Sequence, residues 1–249
     1  MNLRPTASSS SRSVRGTAAM AHRLTRLQHP WPAVIMHWAH LVSFLVLIAT
    51  GLQIHAHTAW FGPMSAVRTA HFLAMFVFLA TTVVRIYWAF FGAGSAALGG
   101  LKRHPDWRHF VVTGREWREI GEWLRYYLFL RKTRPHTAKY NPLQKLTYGV
   151  LFPVGIVVMA LTGFALYEPT AGAFAWVATV LGGLNAARLV HYLAMWVLIA
   201  LFMVHLYLVF VEDPQAASVM LLRRVPRDLR VPGDYPQSEA PDAAGEAPA

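Results

Sequence analysis

Apolar residues gather into four long runs, at residues 33–54, 68–90, 145–167 and 188–211, with polar stretches between them. About 20 apolar residues rising roughly 1.5 Å each cross the hydrocarbon of a bilayer, so every run is long enough to span one. A lone segment in lipid must satisfy its own backbone hydrogen bonds, which makes each run a helix. The pattern predicts an all-α integral membrane protein, a four-helix bundle. The last run, RLVHYLAMWVLIALFMVHLYLVFV, carries His191 and His205, 14 positions apart. At about 100° per residue the second imidazole returns to within roughly 40° of the first, about 21 Å further along the axis. Polar groups within a span are costly and mark a functional site by default.

The polar stretches divide the rest. Residues 1–30 are rich in Ser and Arg and read as a disordered segment, with no cleavable signal peptide evident. Residues 31–220 form the membrane domain, and 221–249, rich in Pro, Ala and acidic residues at the end, form a disordered tail. The longest connection, 91–144, contains GREWREIGEWLRYYLFLRK. Its apolar positions Trp117, Ile120, Leu124, Tyr127 and Leu128 recur at helical spacing, and Trp, Tyr and Arg border them. This predicts a helix lying in the membrane interface between spans II and III. Asn141 is placed to cap span III with Pro142 at its first position. Pro153 is placed to kink that span. Gly51 and Gly163 each follow a threonine near a span end and remove bulk where a macrocycle or a neighbouring helix packs.

Charge orients the bundle. The N-terminal segment holds 5 Lys and Arg, the 91–145 stretch 11 and the tail 4, whereas the opposite connections and their span starts hold only Arg68 and Arg188. Positive loops stay in the cytoplasm, so both termini are expected there, in a multi-pass protein of the cell (inner) membrane. The net charge of +11 is thereby explained without nucleic acid. Cysteine is absent, which excludes disulfides, cysteine-ligated iron–sulfur clusters and covalent c-type haem.

The histidines then fall into pairs. Residues 68–76 (RTAHFLAMF) repeat the pattern of 188–196 (RLVHYLAMW), so two parallel helices present His71 and His191 at one depth, near the outer face. His205 lies near the inner face, where His37 of span I is its partner and His40, one turn on, the rival. Two facing imidazole pairs in a four-helix bundle are what two bis-histidine haems b require as iron ligands. Zinc gathers four ligands at one point and fits less well. Arg68 and Arg188 sit one turn before the outer pair. Arg85 follows His71 by the same 14 positions that separate His191 from His205. All three are candidate propionate contacts or interfacial arginines. Of the other histidines, His55 and His57 are candidate proton relays.

The blocks VIMHWAHLVSFLVLIATGLQI, VVRIYWAFFG, WLRYYLFLRK, YNPLQK, TGFALY and HLYLVFVEDP, in order over about residues 30–220, resemble the b-type cytochrome subunit of membrane-bound nickel–iron hydrogenases. The resemblance implies a di-haem anchor. The outer haem takes electrons from the iron–sulfur small subunit of a hydrogenase, whose large subunit splits hydrogen on the outer face. The inner haem gives them to quinone, menaquinone or ubiquinone. The chain would be the electron-transfer and quinone-reacting subunit, not the hydrogen-splitting one. The family's haem ligands fall on His37, His71, His191 and His205. The Tyr-Asn-x-x-Gln-Lys pattern is shared with formate dehydrogenase gamma subunits, which implies a quinone site at Tyr140, Asn141, Gln144 and Lys145. This chain has Ala33-Val34-Ile35-Met36 before His37-Trp38, where the hydrogenase subunits usually carry Arg-Leu-x. That departure keeps alternatives open: a formate dehydrogenase or thiosulfate/polysulfide reductase subunit, or a stand-alone membrane cytochrome b oxidoreductase.

Overall fold

The computed structural model describes residues 30–96, 103–133, 135, 141–212, 217, 220 and 221. The longer helices are α1 (Trp31–Ala56), α2 (Met64–Phe91), α3 (Gly114–Tyr127), α4 (Pro142–Leu166), α5 (Ala175–Leu181) and α6 (Leu184–Val211). α1, α2, α4 and α6 are long and apolar enough to cross a membrane. Of the segments expected to be disordered, residues 1–29 and most of the tail lie outside the described residues, as does Tyr140.

Each long helix starts two to four residues before its apolar run, because the first turn is set by backbone chemistry and not by hydropathy. Pro30 precedes α1 and Pro32 lies in its first turn, Pro63 precedes α2, and Pro142 opens α4. Proline presets a helical φ and costs no hydrogen bond where the N–H has no intrahelical partner. α6 follows Gly182 and Gly183, at φ +95° and +114°. Glycine enters this left-handed region without a Cβ clash, which permits the sharp turn out of α5.

α1 pairs with α2 and α4 with α6, giving two hairpins with close backbone approach inside each. In the second, Leu198 Cδ2 lies 2.7 Å from where a Cβ on Gly155 would stand, so the missing side chain admits the neighbouring helix. Between hairpins the contact is made by side chains: Phe44 against Phe202 at 5.5 Å between ring centroids, and Phe72 against Tyr167 at 4.3 Å. The bundle therefore has a distal end, where α1 and α4 finish, and a terminal end, where α1 starts and α6 finishes.

Two irregularities lie at the terminal end. α4 widens into a π turn over Thr147–Leu151, just before Pro153. Proline has no N–H to give Gly149 and its ring crowds that carbonyl, and the widened turn absorbs both faults where a kink was expected. A second π turn closes α6 at Leu208–Glu212.

The long connection folds against this end. Ser95–Ala96 and Arg103–His104 form a two-residue antiparallel pair, and α3 appears where the periodicity of its apolar positions placed a helix. Thr113 and Glu116 make a capping box at its start. Trp123 is fully buried, ringed by Tyr126 and Tyr127.

Candidate functional site

At the distal end the repeated sequence becomes a repeated structure. Thr50 Oγ1 donates to the Val46 carbonyl at 2.6 Å and lies 2.8 Å from His71 Nδ1. Thr162 Oγ1 donates to the Val158 carbonyl at 2.6 Å and lies 2.8 Å from His191 Nδ1. A hydroxyl has one proton, and here a carbonyl holds it. Each Nδ1 therefore donates to the threonine oxygen, leaving each Nε2 with a free lone pair.

The glycine after each threonine completes the arrangement. A Cβ on Gly51 would stand 3.4 Å from His71 Cε1 and 3.9 Å from Met195 Sδ. A Cβ on Gly163 would stand 3.4 Å from His191 Cε1 and 4.0 Å from Met75 Sδ. Each methionine follows a histidine by four residues and reaches across to the glycine of the other hairpin. His71 and Met195 thus meet at Gly51, and His191 and Met75 meet at Gly163, which brings both imidazoles to the same end of the bundle.

The terminal end is built differently. The rings of His37 and His205 face each other across the hairpins, with centroids 6.3 Å apart. His205 Nδ1 meets the hydroxyl of Tyr148, in the π turn of α4, at 3.1 Å. His37 Nδ1 is buried with no hydrogen-bond partner among the described residues, and Trp38 stands edge-on to its ring at 5.7 Å. The Trp38 indole donates to the Met220 carbonyl at 3.2 Å, tying the segment after α6 to α1. His40 points elsewhere: Nδ1 donates to the Met36 carbonyl at 2.9 Å and Nε2 meets Thr82 Oγ1 at 3.0 Å.

The remaining candidates have defined places. Arg85 Nη2 pairs with the buried Asp106 at 2.9 Å, while its Nη1 is buried with no partner among the described residues. Arg68 is exposed, and Arg188, also exposed, donates to Asn185 Oδ1 at 2.8 Å. Asn141 and Gln144 form a capping box at the start of α4, as the helix-start reading expects. Asn141 Nδ2 also donates to the Tyr127 hydroxyl at 2.8 Å. Lys145 Nζ donates to Glu116 Oε1 at 2.6 Å, so this block pins α3 onto α4. Burial alone would raise the Glu116 carboxyl, but hydrogen bonds from Lys145 and from the Thr113 backbone outweigh it and hold the group below its ordinary value. His55 stacks on Tyr192 at 3.9 Å.

Several of these partners were not anticipated. The Thr-Gly pairs drew notice for their glycines, yet the threonines make the hydrogen bonds. Their signal was available, since a threonine stands before the glycine in both halves. Tyr148 had no such signal, because a π turn aims it. Gln53, fully buried, holds the turn after α1 through Gly62 O and Phe61 N at 2.9 and 2.8 Å, and carried no sequence mark either.

A metal bound at about 2 Å from each of two imidazole nitrogens separates the ring centroids by about 6 Å, so the His37–His205 spacing suits one ion between them. The side-chain-free cradles at Gly51 and Gly163 and the free Nε2 lone pairs suit a flat macrocycle carrying such an ion. No group of three or more His, Cys, Asp or Glu suited to a bare metal ion occurs among the described residues. The donor set thus fits haem.

Comparison with known proteins agrees. Residues 28–223 match the family described as prokaryotic cytochrome b561. The chain is 34% identical over 198 residues to the "Probable Ni/Fe-hydrogenase B-type cytochrome subunit" of Azotobacter vinelandii, covering 73% of this chain and 79% of that one. It is 32% identical over 196 residues to the protein of the same name from Rhizobium leguminosarum bv. viciae, with the same coverage. It is 30% identical over 198 residues to the "Probable Ni/Fe-hydrogenase 1 B-type cytochrome subunit" of Escherichia coli (strain K12), covering 73% and 81%. Four membrane-length helices, imidazoles gathered inside them and a match over most of the chain lead to one conclusion: this protein belongs to the prokaryotic cytochrome b561 family.

Proposed function

We propose that this chain is a di-haem membrane cytochrome b that anchors a nickel–iron hydrogenase and passes its electrons to quinone. His71 and His191 hold one haem b at the distal end, and His37 and His205 hold the other at the terminal end. The observation that carries the reading is the placement of four imidazoles at two depths of one bundle, in the family of b-type membrane cytochromes. Haem iron held by two of these imidazoles would supply one-electron transfer and would leave no position for a substrate.

The protein's own residues orient and insulate the two sites. Threonines hold the distal rings by Nδ1, Tyr148 holds His205, and Phe44 and Phe202 fill the apolar layer between the ends. Arg85 offers the unpartnered Nη1 to a propionate at the terminal end, and Arg68 and Arg188 are placed to serve the distal end. The basic terminal end faces the cytoplasm, in the inner membrane. α3 lies in the interface on that side, where Phe129 and Leu130 beyond its last turn are 87% and 75% exposed. Quinone binds beside the terminal pair, bordered by Tyr140, Asn141, Gln144 and Lys145. The distal loops receive the iron–sulfur small subunit, which links this chain to the large subunit. The relatives are named as hydrogenase subunits, which supports that partner.

The test is a difference spectrum of anaerobic native membranes, reduced in turn with hydrogen, formate and dithionite, against a strain lacking the gene. A gene-dependent b-type signal with hydrogen is the expected result. A signal with formate or dithionite alone removes the hydrogenase partner. No signal even with dithionite removes the haems.

A further inference from the structure

The two ends treat their imidazoles differently, and the difference bears on electron affinity. At the distal end both Nδ1 atoms donate to a threonine oxygen whose own proton is held by a carbonyl at 2.6 Å. Donating that proton away polarises the hydroxyl and makes its oxygen a better acceptor. At the terminal end His37 Nδ1 has no acceptor among the described residues, and His205 Nδ1 meets a phenol at the longer distance of 3.1 Å. A phenol can give or take the proton, so it does not dictate the tautomer.

We infer that Thr50 and Thr162 are positioning residues that lock the distal imidazoles with Nε2 free and make them stronger electron donors than the terminal pair. This rests on the reading that haem occupies both pairs. An N–H that donates to an acceptor makes its imidazole more basic, and a more basic axial ligand favours ferric over ferrous iron. The threonines therefore lower the potential of the distal centre, which favours electron movement from the distal to the terminal end. The device is duplicated through the hairpin repeat, so its two halves add.

The test uses the purified full-length protein with Thr50→Val, Thr162→Val, the double valine variant and the matching Thr→Ser variants. Valine keeps the shape of threonine and removes the hydroxyl, whereas serine keeps the hydroxyl. Spectroelectrochemical titration follows both centres, and the low-spin ferric electron paramagnetic resonance signal reports the axial ligands. His71→Ala identifies the distal centre. The expected result is a higher distal midpoint in each valine variant, a larger rise in the double variant, an unmoved terminal midpoint and restoration by serine. Loss of the distal centre with valine but not with serine supports tautomer locking equally. Unmoved midpoints, a shift at the terminal centre or equal losses with valine and serine overturn the inference while leaving the di-haem reading intact. Absence of haem from the unaltered protein removes both.

Discussion

The distal and terminal ends of this bundle present the same pair of side chains in unlike frames. The distal frame comes from repetition. RTAHFLAMF and RLVHYLAMW, each paired with a Thr-Gly step on the neighbouring helix, build two halves whose threonine–imidazole distances are both 2.8 Å. The terminal frame has no internal copy. His37 comes from the start of α1, His205 from the end of α6, and Tyr148 from a π turn in α4. A duplicated hairpin fixes both of its imidazoles in the same way, whereas a site assembled from single elements leaves its two imidazoles unequal.

The largest effects should come from removing a ligand at one end. His71→Ala is expected to abolish the distal haem and leave the terminal one, and His205→Ala the reverse. Pyridine haemochrome content of the purified protein should fall by half in either case, with different midpoints surviving. Retention of both haems in His71→Ala would show that the pairing is wrong. Gly51→Leu should come next. A Cβ there already stands 3.4 Å from His71 Cε1, so a branched side chain occupies the cradle. The expected outcome is loss of distal haem only, with Gly51→Ala tolerated, as read by the same haem assay.

The contrast also explains what the sequence disclosed. Four spans follow from hydropathy, and the distal pair from a visible repeat, because both are periodic properties of neighbouring residues. α1, α2 and α6 begin before their apolar runs, because Pro32, Pro63 and the Gly182–Gly183 turn act outside hydropathy, whereas Asn141 and Pro142 mark the start of α4 in the sequence itself. Asn141 and Lys145 stand out in the sequence through the Tyr-Asn-x-x-Gln-Lys pattern. Their partners, Tyr127 and Glu116, come from α3, and no local pattern announces a contact between elements so far apart. Tyr148 was hidden for a related reason. Ordinary helical geometry does not describe a π turn, so periodicity cannot aim its side chains.

A smaller effect tests whether the terminal end depends on α3 being fastened to α4. Glu116→Gln removes the ion pair to Lys145 and weakens the cap on α3. A mostly buried charged hydrogen bond of this kind contributes about 1–3 kcal/mol. Thermal unfolding in detergent should shift down, with the terminal haem lost at lower temperature than the distal one. The pH dependence has a definite sign. The folded protein holds the Glu116 carboxyl below its unfolded value, so the stabilisation is complete above the ordinary carboxylate range and is lost as pH falls through the lower, folded value. Glu116→Gln should therefore narrow the gap in melting temperature between pH 7 and about pH 4. An unchanged gap would show that the pair contributes nothing.

The smallest expected effect sharpens the terminal assignment most. His40 lies one turn from His37 and by sequence alone competes with it as a ligand. In the structure the Met36 carbonyl takes the Nδ1 proton of His40, because a carbonyl can only accept. His40 Nε2 lies 3.0 Å from Thr82 Oγ1, so the second ring nitrogen is turned to α2 and not to His205. Meanwhile His37 faces His205 at 6.3 Å, and its Nδ1 has no hydrogen-bond partner among the described residues. His40→Gln keeps a polar group toward Thr82 and should leave both haems and both midpoints in place, whereas His37→Gln should remove the terminal haem. If the two variants exchanged these outcomes, the free lone pair on α1 would belong to His40, and the ring facing His205 would not be the ligand.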